Sequence, residues 1–179
     1  ETGLLSIAGG KLTGYRKMAE RIVDRLSKKV REDKDKKLSD CVTDKIYLSG
    51  GVFKDGNDVH RYQKEVEQQV VSFGLDPYYA EYLVSNYGRQ TGDIFKLFRQ
   101  RQETDPEIRL ALSELVFTIE NEAVHSLLDF FERRTGRLYF NIKTIPKLIE
   151  PVFQHLTSTF GWSETRQQQE KDWLHHGLE

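Results

Sequence analysis

With 179 residues, 37% of them apolar, the chain can bury one ordinary core, and its one cysteine, Cys41, excludes an intrachain disulfide and any cage built from thiolates alone. Twenty-seven basic residues against 28 acidic ones leave a net charge of -1, which argues against the concentrated basic face that nucleic-acid binding by counterion release requires. No apolar run reaches the ~18 residues of a membrane span and no basic leader precedes one, so membrane insertion is excluded, peripheral attachment is not, and a reducing, intracellular setting fits best.

Leu4, Leu5, Ile7 and Ala8 form a short apolar run that ends in Gly9-Gly10-Lys11-Leu12-Thr13-Gly14, a stretch too rich in glycine for a helix interior. From Tyr15 the period changes to that of a helix, with Tyr15, Met18, Ala19, Ile22, Val23, Leu26 and Val30 on one stripe. The expected order is strand, glycine loop, helix, with the sheet that would receive the strand lying outside the chain. Residues 31 to 45 mix charges densely and read as an exposed connection. Gly50, Gly51 and Gly56 then punctuate the passage to a second unit, which gives expected divisions at 1–45 and 46–177. Glu1 is not an initiator methionine, and Leu178 and Glu179 read as the scar of a purification tag, so both ends are expected to be cloning boundaries.

The second unit is predicted to be a helical bundle, which makes the fold class mainly α. Val59, Tyr62, Val66, Val70 and Phe73 make its first stripe. Asp76-Pro77 and Asp105-Pro106 carry the carboxylate-then-proline signature of a helix start, and Thr91 is expected to cap another helix. Tyr78, Tyr79, Tyr82 and Leu83 are expected to face the core. Ile108 to Ile119, Val124 to Phe131 and Ile145 to Phe160 supply further apolar periods, with Gly161 as a stop and Ser163 as a cap for a short last helix. Tyr82, Phe98, Leu115, Phe131 and Phe153 are predicted to meet at its centre.

Most polar residues have an ordinary reading. Arg99 with Arg101, and Arg133 with Arg134 and Arg137, read as solvated helix ends, and Asp129 with Arg133 forms an i,i+4 ion pair. The histidines are scattered without metal-ligand spacing, so no metal site is expected. The segment Gly9 to Gly14 stands apart. Its glycines permit close approach of a ligand to the backbone, Lys11 adds a mobile positive charge, and the following helix start offers N–H groups to electron-rich atoms. It matches neither GxGxxG nor GxxxxGK[ST], and on chemistry alone both a cofactor contact and a structural turn stay open.

The run from Gly9 to Glu20, GGKLTGYRKMAE, strongly resembles the last flavin-contacting segment of the FAD-dependent glycerol-3-phosphate dehydrogenases and alpha-glycerophosphate oxidases. The resemblance continues through Tyr87-Gly88, Glu120 to Glu122, Asp129-Phe130-Phe131-Glu132-Arg133-Arg134-Thr135 and Phe160-Gly161-Trp162. Gly14 departs from it, because the family usually has a second threonine there. The resemblance implies a C-terminal helical bundle preceded by a strand-loop-helix remnant of the FAD-binding domain. It implies a parent flavoprotein oxidoreductase that oxidises sn-glycerol 3-phosphate to dihydroxyacetone phosphate by hydride transfer to FAD, with quinone or oxygen as acceptor. Gly9, Gly10, Lys11, Leu12 and Thr13 would then contact the cofactor, with Lys11 near the flavin C2 carbonyl as its electrostatic support. The implied partners are the remaining FAD and substrate domains, with homo-oligomerisation and peripheral contact at the inner face of the cell membrane left open and the location cytoplasmic. Because no dinucleotide fingerprint occurs here, this piece alone is expected to be inactive and free of FAD. The alternative is a helical interaction or membrane-docking module without catalysis.

Overall fold

The computed structural model describes residues 4–34 and 38–178. Glu179, and residues 35–37 of the expected exposed connection, lie outside them. The chain divides into two compact units, Glu1–Tyr47 and Leu48–Glu179.

In the first unit, a 3₁₀ turn at Leu12–Gly14 leads directly into helix α1, Tyr15–Lys34. The predicted strand is not there. Among the described residues no β-strand occurs anywhere, and Leu4 to Gly9 are irregular. The expectation of a strand-loop-helix remnant is therefore corrected to irregular chain, turn and helix. A strand exists only as a partner in a hydrogen-bonded ladder, and no second strand is present for this apolar run to pair with. None of the described residues of this unit is buried, so the stripe of α1 is formed as predicted but stays uncovered within the unit.

The second unit contains α2 (Gly56–Ser72), α3 (Tyr78–Tyr87), α4 (Thr91–Gln100), α5 (Pro106–Glu122), the short α6 (Arg137–Phe140), α7 (Ile145–Phe160) and α8 (Glu164–Leu178), with a π-helical turn at Asp129–Arg134. The starts follow local chemistry. Asp105 accepts hydrogen bonds from the N–H groups of Glu107 at 2.9 Å and Ile108 at 3.1 Å, with Pro106 in the first turn. Asp76 accepts from the Tyr78 N–H at 2.8 Å, and Ser163 from the Arg166 N–H at 3.3 Å. Thr91 does something else. It is buried, and its hydroxyl donates to the carbonyls of Gly88 at 2.8 Å and Leu83 at 3.2 Å, tying α4 back to the end of α3.

Helix α5 runs between two apolar clusters. Leu110 and Phe117 join Val66, Val70, Leu83, Ile94 and Phe95 on one side, while Ala111, Leu112 and Leu115 join Phe131, Leu148, Val152 and Leu156 on the other. A helix covered on both faces carries apolar residues on more than one side, and the polar side chains that α5 buries, Ser113, Glu114 and Thr118, are each hydrogen-bonded. Each fully buried Leu, Ile or Phe contributes about 1.5–3 kcal/mol by transfer from water. Of the five side chains predicted to meet at the centre, Phe98, Leu115, Phe131 and Phe153 are buried and Tyr82 is half-buried, but they divide between the two clusters, Phe98 and Tyr82 on one side of α5 and Leu115, Phe131 and Phe153 on the other. Tyr78 is exposed, contrary to expectation. No helix among the described residues is long and apolar enough to cross a membrane.

Candidate functional site

The glycine segment lies on an open surface of the first unit. Lys11 is extended, with φ -94° and ψ 113°, and its carbonyl accepts from the Gly14 N–H at 3.2 Å, closing the turn that starts α1. Gly9 lies against Met18, where an added Cβ would come within 2.5 Å of the methionine methyl group. Over Gly10 the space is open, with no atom within 4 Å of where a Cβ would be. Gly9, Gly10, Lys11 and Leu12 form one wall of a hollow of about 660 Å³, and Tyr15, Met18, Ile22 and Val23 of α1 form the other. Leu12 and Tyr15 are 87% and 65% exposed, so the hollow presents apolar surface outward. Thr13 belongs to the turn but not to this lining, and no side chain caps the turn. The structure thus brings four of the five predicted contact residues onto one face. Chemically, the face offers unobstructed backbone, one ammonium group and a helix start without acidic residues.

A second polar constellation, in the second unit, escapes a sequence reading. Glu114 of α5 and Arg137 of α6 are 0% and 1% exposed and form a buried ion pair. The hydroxyls of Tyr82 and Tyr87 donate to the same Glu114 oxygen at 2.6 and 3.0 Å, and the Arg137 guanidinium lies 5.1 Å from the Tyr82 ring centre. Burial, reinforced by the charge of Glu114 nearby, pushes the Tyr87 phenol well above its usual range, and Tyr82 shifts the same way through burial. Tyr79, which donates to Glu107 at 3.1 Å, is pushed up to about 12, again mainly by burial. Burial works against the charge of Arg137, yet the tyrosine oxygens and Glu114 outweigh it and hold the guanidinium above its ordinary range. The buried ion pair and the two hydroxyls that donate to it suit a structural pin better than proton transfer, with Arg137 Nε the one guanidinium nitrogen of the cluster buried without a partner among the described residues. The cluster's sequence signal was a lone carboxylate in the middle of the apolar period of α5.

The other arginines divide similarly. Arg133 pairs with Asp129 as predicted, and Arg134 pairs with Glu122 at 2.5 Å. Arg99 donates to Gln69 at 2.7 Å, and Arg101 pairs with Glu103 at 2.8 Å.

Comparison with known proteins places this geometry in a family. A family model described as the C-terminal domain of alpha-glycerophosphate oxidase matches residues 41–167. The aerobic glycerol-3-phosphate dehydrogenase of Staphylococcus aureus (strain USA300) is 40% identical over 167 residues, covering 91% of this chain and 29% of that protein. Its namesake from Staphylococcus saprophyticus is 35% identical over 164 residues, with 91% and 29% covered. Among solved structures, the X-ray structure of the glycerol-3-phosphate dehydrogenase from Bacillus halodurans complexed with FAD matches with a TM-score of 0.81 at 32% identity, over 96% of this chain and 34% of that one. The chain therefore spans about a third or less of the length of the relatives it matches. The family match takes in most of the second unit and the end of the first, and by it the chain belongs to the family of the C-terminal domain of alpha-glycerophosphate oxidase.

Proposed function

We propose that this chain is the C-terminal part of an FAD-dependent glycerol-3-phosphate dehydrogenase or oxidase, and that Gly9, Gly10, Lys11, Leu12 and Thr13 are its contribution to the flavin site. The whole protein would oxidise sn-glycerol 3-phosphate to dihydroxyacetone phosphate and pass the electrons on to quinone or oxygen. The observation that carries the site assignment is the uncovered face at Gly9 to Leu12, where bare backbone, a positive side chain and exposed apolar groups coincide. FAD, when bound, supplies the acceptor for the hydride leaving carbon 2 of the substrate. The residues fit it: Gly10 has no side chain to hold a flat ring system away, and Lys11 carries the charge that suits its electron-rich edge. Lys11 acts by electrostatics, favouring the state in which negative charge has arrived beside it. The remaining FAD and substrate domains of the full-length polypeptide are the partners this reading requires.

Lys11→Ala in the FAD-loaded full-length enzyme is expected to slow flavin reduction about 10²–10³-fold, the usual loss for a donor aimed at developing charge. Anaerobic stopped-flow reduction by glycerol 3-phosphate isolates that step from the choice of acceptor. An unchanged limiting rate rejects the catalytic role, and loss of bound FAD with a normal rate in the loaded fraction reassigns Lys11 to cofactor retention.

A further inference from the structure

The second unit carries an open pocket of about 570 Å³ at the start of α3 and around α6, remote in sequence from the glycine segment. Four aromatic side chains line it: Tyr78, Tyr82, Tyr139 and Phe140. Tyr139 is 68% and Phe140 83% exposed, an unusual cost for two adjacent large rings in a unit that buries its other phenylalanines well. Three guanidiniums border the pocket, but each is already matched by a carboxylate: Arg133 by Asp129, Arg134 by Glu122 and Arg137 by Glu114. Two further carboxylates of the lining have no cation. Among the described residues Glu81 has no hydrogen-bonding or ionic partner, and Glu132 has only the neutral Tyr139 hydroxyl at 2.8 Å. A neighbouring hollow of about 440 Å³, which shares Tyr78, Phe140 and Asn141 with this one, adds Asp76, whose carboxylate accepts from the backbone N–H of Tyr78.

We propose that this pocket receives a lysine or arginine side chain from a segment of polypeptide in the part of the full-length protein outside this chain. Charge complementarity selects the occupant. Ring faces are electronegative and attract a cation held over them, and Glu81 and Glu132 supply the counter-charge. An anion would meet uncompensated carboxylates, and a purely apolar occupant would bury them unpaired. A lipid surface fits poorly, because anionic headgroups would be repelled by Glu81, Glu132 and Asp76. Full-length relatives are about three times the length of this chain, so ample polypeptide exists to supply the segment. Exposed tyrosines beside a concavity are also what protein interfaces favour at their centres. The source of the segment rests on the functional reading above; the preference of the pocket for a cation does not.

Two measurements test this. In the first, N-acetyl-arginine amide and N-acetyl-lysine amide are titrated into the ¹⁵N-labelled 179-residue chain, with N-acetyl-glutamine amide, inorganic phosphate and phosphocholine as comparators. Saturable amide shifts at Ser85, Gly136 and Tyr139 to Asn141 are expected for the two basic amides alone, and Glu81→Gln/Glu132→Gln should weaken them about fivefold. Equal shifts with the neutral amide or phosphate, shifts with phosphocholine only, or no shifts overturn the proposal, and the comparison of probes on the unmutated chain needs no variant to fold. In the second, hydrogen exchange at Tyr139 to Asn141 is compared between this chain and the full-length protein. Slower exchange in the full-length protein, lost in the double variant while FAD occupancy is retained, supports the assignment, and equal exchange in all three rejects it. A full-length protein that binds no FAD would sink the flavin reading and leave the probe titration standing.

Discussion

Glu114 shows how much a single residue can commit a fold to. It occupies the middle of α5, where Ala111, Leu112 and Leu115 face one apolar cluster and Leu110 and Phe117 the other, and its charge is matched there by Arg137 and two tyrosine hydroxyls. Removing one member of a buried pair strands the other without water, so Glu114→Ala is expected to destabilise the second unit by about 3–5 kcal/mol, whereas Tyr87→Phe should cost about 1 kcal/mol. Urea unfolding followed by far-ultraviolet circular dichroism measures both, and a Glu114→Ala chain with a wild-type midpoint would show the pair to be dispensable. The sequence groups Arg137 with Arg133 and Arg134, but Gly136, at φ 60°, turns the chain between them. Arg133 is thereby left at the surface and Arg137 taken inside, a separation invisible in a run of like charges.

At the scale of elements, the start of α2 is built around Asp58, a largely buried carboxylate. It accepts from the Lys54 N–H at 3.1 Å, from Arg89 with both oxygens at 3.1 Å, and from Arg61. The guanidinium of Arg89 lies over the adjacent rings of Phe53 and Tyr62, at 4.7 and 4.6 Å from their centres, so one charged cluster fastens the approach to α2 onto the end of α3. Gly50 and Gly88 make that contact so close that a Cβ on either would come within 2.2 Å of a carbonyl oxygen of the other segment, and both have positive φ. The Lys54 N–H, joined by Arg89 and Arg61, outweighs the opposing effect of burial and holds the Asp58 carboxyl below its ordinary value. A carboxylate depressed in the folded state stabilises fully above its unfolded pKa, about 3.9, and loses that contribution as pH falls through the folded value. Stability is therefore expected to decline below about pH 4, with Asp105 and Asp129 shifting in the same direction, and to decline less steeply in Asp58→Asn. Urea midpoints from pH 2.5 to pH 7 would reveal identical slopes for the two proteins if Asp58 were not involved.

The whole molecule is two units of different character. The second buries two clusters around α5, whereas none of the described residues of the first is buried and its apolar helix face is open. A face of this kind binds a cofactor weakly, because one wall cannot exclude water from a ligand or surround it. The 179-residue chain is accordingly expected to purify without stoichiometric FAD and to leave glycerol 3-phosphate unoxidised. Absorbance at the flavin band per chain and a dye-reduction assay check this. A yellow protein with one FAD per chain, or turnover that survives exclusion of full-length contaminant, would reverse it.

Local chemistry made much of this legible from residue order. The cap at Asp105-Pro106, the stop at Gly161 and the stripes of α1, α2 and α7 are short-range features, in which the partners lie within a few residues and the energetics hardly depend on the rest of the molecule, whereas at α3 Pro77 rather than Asp76 takes the N-cap position. The run at Leu4 to Ala8 was misread because apolar residues state a tendency to be covered, while a strand needs a hydrogen-bonding neighbour. Thr91 was misread as a cap because a hydroxyl takes whichever carbonyls the packing of α3 and α4 brings within reach. The Glu114–Arg137 pair and the aromatic, acid-lined pocket depend on residues from α3, α5 and α6 meeting in space. Burial sets the strength of such charges, and burial is a property of the assembled helices rather than of any stretch of sequence.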